Sequence, residues 1–346
     1  MANEPTPPAT AAQVEQLLDA AGVTDDRDLV RRIVVAALGM AADHDERLDL
    51  KITTAAVEEM RSAYRMFAPF RDHPKVTVFG SARTTSVDPL YAQAHDLAEA
   101  MAAAGWMVVT GAGPGIMQAA TEGAGRDAAL GVSIRLPFEP RPNDGLDEAT
   151  RLVSMKYFFT RKLMLVKESR GFVSMPGGFG TLDETLELLT LQQTGKAEPV
   201  PIVLLDVPGG SYWHGFERFV RDHLVTRGLV ADDDMARVLV TDSVPAAVAE
   251  LTGFYRNYHS LRWVGTRLVL RLRATPTDAE VADLDERFAG LVRSGHVERI
   301  EATPPEVADG DHVELPRIAL DLEPGKVGEL HRLIRAANAL ASAPPA

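Results

Sequence analysis

Gly171-Phe-Val-Ser-Met-Pro-Gly-Gly-Phe-Gly-Thr-Leu-Asp-Glu184 starts as a short apolar run, breaks at a proline and three glycines, and ends on residues that favour a helix. An apolar run without alternation suits a parallel strand covered on both faces. A glycine-rich turn leading into a helix leaves backbone N–H groups without intrahelical partners, and such groups attract an anion. Gly177, Gly178 and Gly180 can present those N–H groups, and the Thr181 hydroxyl adds a donor. The turn lacks the Gly-Lys-Ser/Thr of a triphosphate-binding loop, which points to a small monophosphate. Thr181 and Glu184 also have the spacing of a capping box, in which the carboxylate satisfies the backbone N–H of the cap. Spacing alone leaves both roles open for Glu184.

Outward from this stretch the texture is regular. Further strand candidates are Lys75–Phe79, Trp106–Thr110, Gly131–Leu136, Arg151–Ser154, Pro201–Asp206 and Arg237–Thr241. Helical stretches begin near Pro89, Pro114, Lys156, Thr181, Tyr212 and Pro245. Alternating strands and helices predict an α/β domain over residues 75–260: a Rossmann-like, doubly wound parallel sheet with ligands at the carboxyl ends of its strands. A second glycine loop, Thr110-Gly-Ala-Gly-Pro-Gly-Ile-Met117, lies at such an end, and Gly113 and Gly115 are its candidate phosphate contacts. Its spacing differs from the dinucleotide-binding fingerprint, and no acidic residue closes the next strand.

The flanks differ in pattern. Residues 1–10 read as a disordered tail, and 11–74 as a helical appendage. There Leu29, Ile33, Val34, Ala37 and Leu38 form one apolar stripe, and Val57, Met60, Tyr64 and Phe67 a second. From residue 265 to 346 the pattern is that of a small α+β module. It opens with a half-buried strand in which Arg267, Arg271 and Arg273 alternate with leucines, followed by a helix capped by Thr277 and Glu280. Strands near His296–Ala302 and Leu315–Leu322 and a helix over Lys326–Leu340 complete a β-α-β-β-α order. That order resembles a ferredoxin-like or ACT-like module short of one strand.

The 346 residues include no cysteine, which excludes thiol nucleophiles and Cys-ligated metal or iron–sulfur centres. With 36 basic and 49 acidic residues the net charge is −13, unfavourable for a nucleic-acid polymer. The N-terminus lacks signal-peptide features, and no apolar run reaches the roughly 18 residues of a membrane span, so the expected compartment is the cytoplasm. No histidine pair has metal-ligand spacing, and no metal site is predicted.

Four segments carry a resemblance. Pro176-Gly-Gly-Phe-Gly-Thr-Leu-Asp-Glu184 is similar to the P-G-G-x-G-T-x-x-E motif of the LOG family, and Arg161-Lys162 matches its arginine–lysine pair, with Arg161 twenty-three positions before Glu184. Val78-Phe-Gly-Ser-Ala-Arg83 and Gly111–Met117 resemble its upstream loops, with Ala112 where the family has glycine. The family comprises cytokinin-activating or nucleotide 5′-monophosphate phosphoribohydrolases, formerly labelled lysine decarboxylases.

The resemblance implies hydrolysis of the N-glycosidic bond of a nucleoside 5′-monophosphate to free base and ribose 5-phosphate. Glu184 and Arg161 would be catalytic. Ser81, Gly113, Gly115, Asn143, Lys162, Gly177, Gly178, Gly180, Thr181 and Thr190 would bind substrate. It implies no cofactor, and a homodimer or higher homo-oligomer. Asp183, next to Glu184 on a helix, should point outward. The alternative is a non-catalytic nucleotide or molybdenum-cofactor carrier on the same fold. A pure phosphate binder has no need of the Glu184 carboxylate, which favours the enzyme. The C-terminal module is a candidate seat for a small-molecule effector.

Overall fold

The computed structural model describes residues 8–43, 46–136, 146 and 150–345. The chain divides into two compact units, 1–61 and 62–346. The first is helical: α1 (Pro8–Ala20), α2 (Arg27–Ala42) and most of α3 (Arg47–Phe67), which runs on into the second unit. Arg27 holds α1 to α2 through Glu15 and Asp19. Helix begins at Pro8, inside the stretch read as a tail. The expected stripe of α2 is not buried: Leu29, Ile33 and Leu38 are exposed. On α3 the buried face is Ala56, Glu59, Ala63, Met66 and Phe67. Of the predicted stripe only Phe67 is deeply buried, and Tyr64 instead lies beneath the Lys167 ammonium at 5.4 Å.

The second unit is built on a seven-stranded parallel sheet in the order β4-β3-β2-β1-β5-β6-β7. The strands are β1 (Lys75–Phe79), β2 (Met107–Thr110), β3 (Ala129–Ile134), β4 (Leu152–Met155), β5 (Gly171–Ser174), β6 (Ile202–Leu205) and β7 (Val238–Thr241). Each lies within about two residues of its predicted place. Helices α4 (Pro89–Ala103), α5 (Ile116–Ala124), α6 (Phe158–Lys167), α7 (Phe179–Gln193), α8 (Tyr212–Phe219) and α9 (Val244–Gly253) flank the sheet. β1, β2, β5 and β6 are buried along their whole length, as a strand covered on both faces must be. One core cluster joins Val76, Val78 and Val108 to Leu97, Met101 and Ile116.

Strand order locates the site. From β1 the chain winds outward to β4, then crosses back so that β5 pairs with the other side of β1. The loops leaving β1 and β5 therefore separate at a switch point, where a crevice opens at the strand ends.

A second sheet is antiparallel, in the order β10-β11-β9-β8, with β8 (Tyr258–Val264), β9 (Arg267–Leu272), β10 (Val292–Ile300) and β11 (Arg317–Leu322). β8 is the fourth strand absent from the sequence reading, and it begins before residue 265. α10 (Asp278–Arg287) and α12 (Leu330–Asn338) pack on this sheet, and α10 carries the predicted Thr277–Glu280 capping box. α11 (Pro304–Asp309), unanticipated, carries another, formed by Thr303 and Glu306. β9 is more deeply buried than expected. Arg271 is only 3% exposed and is ion-paired with Glu306 at 2.8 Å and Asp311 at 2.6 Å. A buried guanidinium is tolerated only with such partners.

α12 also ties the second sheet to the first. Arg335 pairs with Glu250 of α9 at 2.6 Å, and the His331 ring reaches the Val200 carbonyl at 3.2 Å. No helix among the described residues is long and apolar enough to cross a membrane.

Candidate active site

Three loops meet at the switch point. The loop after β1 brings Ser81, whose N–H donates to the Pro176 carbonyl at 3.3 Å and whose carbonyl accepts from the Ile116 N–H at 3.0 Å. Ser81 thus joins the loop after β5 to the start of α5. Its hydroxyl accepts from the Arg83 N–H at 3.1 Å. Gly115 has φ +68, and a Cβ there would lie 2.3 Å from the Ser81 carbonyl oxygen. Only glycine meets both demands. At Gly177 a Cβ would meet Thr181 Oγ1 at 2.2 Å and Ser81 N at 3.1 Å.

α7 starts at Phe179, two residues earlier than the sequence suggests. Its N-cap is Gly178, with extended backbone and no side-chain cap. Thr181 is therefore in the first turn, and the capping-box role for Glu184 is not taken. The Thr181 carbonyl instead accepts from the Thr185 hydroxyl at 2.7 Å. With glycine as the cap, the cap residue has no side chain to occupy the N–H groups of the first turn. The Cβ positions of Gly178 and Gly180 face open space among the described residues.

Glu184 projects from the second turn of α7 toward α6. Its Oε1 lies 3.5 Å from the Arg161 NH1. Arg161, 8% exposed, donates from Nε to the Val132 carbonyl of β3 at 2.9 Å. The guanidinium also lies against Gly111 at the end of β2, where a Cβ would fall 2.0 Å from its NH2. Burial raises the Glu184 carboxyl to about 7; the nearby Arg161 charge opposes the rise and does not cancel it. A carboxyl balanced near neutrality in a crevice is suited to acid–base work.

The other predicted residues sort by helix face. Asp183 points outward as expected and is 57% exposed at its side chain. Lys162 follows it to that side, pairing with Asp183 and Glu187 at 2.8 Å each, so its ammonium links α6 to α7. Thr190 lies about 120° around α7 from Glu184 and nearly two turns along. Its hydroxyl donates to the Leu186 carbonyl at 2.8 Å, and it lines an apolar groove of about 410 Å³ with Leu186, Phe216 and Phe219. Thr190 is thus not gathered with Arg161 and Glu184. Gly113 lies beside Met117, whose Cε would be 2.7 Å from a Cβ placed there. Asn143 lies outside the described residues.

Ala112, in the family's glycine position, has φ +54, a left-handed conformation unfavourable for a side chain. The Thr110 hydroxyl accepts from its N–H at 3.1 Å and helps hold it there. Sequence reading passed over Tyr212, whose hydroxyl donates to the Gly177 carbonyl at 2.7 Å. The Pro208-Gly209-Gly210 turn before it signals a helix start, but not the reach of its first side chain.

The family described as "possible lysine decarboxylase" matches residues 114–251. The chain is 30% identical over 176 residues to the cytokinin riboside 5′-monophosphate phosphoribohydrolase of Mycobacterium marinum, across 50% of this chain and 90% of that one. It is 29% identical over 170 residues to a probable enzyme of the same name from Oryza sativa subsp. japonica, across 48% of this chain and 77% of the relative. Among solved structures, the molybdenum cofactor carrier protein of Chlamydomonas reinhardtii aligns over 52% of this chain and 96% of its own, at 23% identity and a TM-score of 0.37.

Proposed function

The chain belongs to the LOG family, and from that membership we propose that it hydrolyses the N-glycosidic bond of a nucleoside 5′-monophosphate, giving the free base and ribose 5-phosphate. The observation that carries this reading is the buried Arg161–Glu184 pair beside the glycine loops. The 5′-phosphate would rest on the N–H groups at the start of α7, with Thr181 and the loops of Ser81 and Gly115 around it. That anchor directs the anomeric carbon toward Glu184. As the C–N bond breaks, the base leaves with the electron pair and positive charge grows on the ribose. The Glu184 carboxylate stabilises that charge and takes a proton from the attacking water, whose oxygen bonds to the anomeric carbon; the departing base takes up one proton, from the Glu184 carboxyl or from solvent, which restores the carboxylate and balances the reaction. Arg161 stays charged, so it orients the nucleotide or stabilises the departing base and does not supply a proton.

Chromatography of the protein incubated with AMP, GMP, CMP and isopentenyl-AMP tests the reading: free base is the expected product. Adenosine should be a far poorer substrate, because binding energy from the phosphate is used to orient the reacting bond. ATP should also be poor, since the glycine loop lacks the Walker-type lysine that would receive its extra charge. Comparable kcat/KM for adenosine and AMP would refute the phosphate seat. Tight nucleotide binding without turnover would identify a carrier instead.

Exposed Phe158, Phe159, Leu163 and Phe179 support at least a homodimer. The strand order β8-β9-β11-β10 supports a ferredoxin-like C-terminal module whose last strand has moved to its front. A cavity of about 280 Å³, lined by Lys196, Glu198, Trp263 and His331, supports an effector seat where the loop after α7 meets this module.

A further inference from the structure

The softest part of the site is the Gly177–Gly178 segment, because two successive glycines have the widest choice of backbone conformation. Its peptide planes are nonetheless held by hydrogen bonds from two neighbouring loops. The Pro176 carbonyl accepts from Ser81 N at 3.3 Å, and the Gly177 carbonyl accepts from the Tyr212 hydroxyl at 2.7 Å. In a trans peptide the C=O and the following N–H point in opposite directions, and no cis bond occurs among the described residues. Holding the Gly177 carbonyl on the Tyr212 side therefore turns the Gly178 N–H to the opposite side.

Tyr212 is itself well fixed. Asp206, at the end of β6 and 6% exposed, accepts from the Val207 N–H at 2.8 Å and the Tyr212 N–H at 3.0 Å. Gly210 must lack a side chain here, since a Cβ would come within 2.3 Å of the Asp206 carboxyl carbon. The next residue, Trp213, is fully buried and donates from its indole to the Leu205 carbonyl at 3.2 Å. Its ring meets the Tyr212 ring edge-on at 4.8 Å. Backbone, neighbouring ring and hydroxyl thus define one place for this phenol, although it is exposed.

We propose that Tyr212 is a positioning residue for the anion seat: by holding the Gly177 carbonyl it keeps the Gly178 N–H presented to a phosphoryl group. Without the hydroxyl, the Gly177–Gly178 peptide can rotate and turn a carbonyl dipole toward the anion. Part of the binding energy would then be used to restore the competent arrangement, and affinity falls by the fraction of molecules in the wrong state. Asp206 acts one step further back, by fixing the start of α8.

This inference rests on the phosphate seat of the proposed function, so its test separates binding from turnover. Tyr212→Phe keeps the ring and removes one hydrogen bond. Calorimetric titration with ribose 5-phosphate should show affinity about five-fold weaker than wild type, the scale of one such bond. KM for AMP should rise by a similar factor while kcat stays within about two-fold, a split that general destabilisation would not produce. Equal affinity of Tyr212→Phe and wild type for ribose 5-phosphate would overturn the proposal, as would a wild-type protein that does not bind it. A wild type that binds ribose 5-phosphate and leaves AMP intact, with binding weakened in Tyr212→Phe, would uphold the positioning role and refute the hydrolase reading.

Discussion

The guanidinium of Arg161 and the carboxyl of Glu184 stand 3.5 Å apart across the gap between α6 and α7, too long for a strong charge-assisted bond. Arg161 is held back by its shorter bond to the Val132 carbonyl, at 2.9 Å. The pair is therefore close enough to share a field and too open to neutralise itself. Burial outweighs the arginine's attraction, and the carboxyl is raised to about 7. A closed ion pair would have lowered it.

Each partner should be needed for turnover. Arg161→Ala and Glu184→Gln are each expected to reduce kcat/KM for AMP by at least about 10²-fold, the scale of a positioned catalytic group. Steady-state assays on protein with native circular dichroism check this. Near-wild-type rates in both variants would remove the pair from the mechanism.

The raised carboxyl makes a signed prediction about pH. Glu184 moves from an ordinary 4.5 to about 7 on folding, so between those values the folded state holds a proton that the unfolded state has lost. Its contribution to stability is fully present below pH 4.5 and is lost as pH rises through 7. At pH 8 the ionised group costs on the order of 3 kcal/mol, and Glu184→Gln avoids that cost. The difference in Tm between Glu184→Gln and wild type should grow in favour of the variant from pH 5 to pH 8. The wild-type rate should rise with pH through about 7, because the carboxylate is the working form, and Glu184→Gln should lack that limb.

Gly111 offers a way to disturb the site without replacing either catalytic side chain. A methyl group there would lie 2.0 Å from Arg161 NH2 and 2.7 Å from Met117 Sδ, both ends of flexible side chains. Gly111→Ala should therefore fold, displace the guanidinium and lower kcat/KM at least about ten-fold, as misplacement of a catalytic group does. Equal activity in wild type and Gly111→Ala would show that the guanidinium position is not critical.

Asn338 should govern the attachment of the C-terminal helix. Its side-chain oxygen accepts from the Asn257 N–H at 2.9 Å and the Tyr258 N–H at 2.7 Å, and its amide donates to the Phe254 carbonyl at 2.6 Å. Asn338→Ala would leave these buried backbone groups unpaired, at a cost of about 3 kcal/mol. Urea denaturation should show a lower midpoint with an unchanged slope. A shift below about 1 kcal/mol would mean that water replaces the amide.

The sequence by itself determined the alternation of strand and helix, the glycine loops at strand ends, and the residue types Arg161 and Glu184. These signals are local, because apolar runs, turn glycines and helical spacing are written within a few residues of one another. What only the tertiary structure decided depends on distant neighbours. Strand order placed β5 beside β1 and brought Ser81 to Pro176. Competition for the start of α7 made Gly178 the cap and left Glu184 for Arg161. Packing turned Lys162 toward Asp183 and Thr190 toward an apolar groove. β8 escaped notice because it is an edge strand of mixed, half-buried residues, paired on one side only and lacking a clear apolar period. Tyr212 escaped because its partner lies thirty-five residues away, and a hydroxyl finds a carbonyl at that separation only after the sheet has set both strand ends side by side.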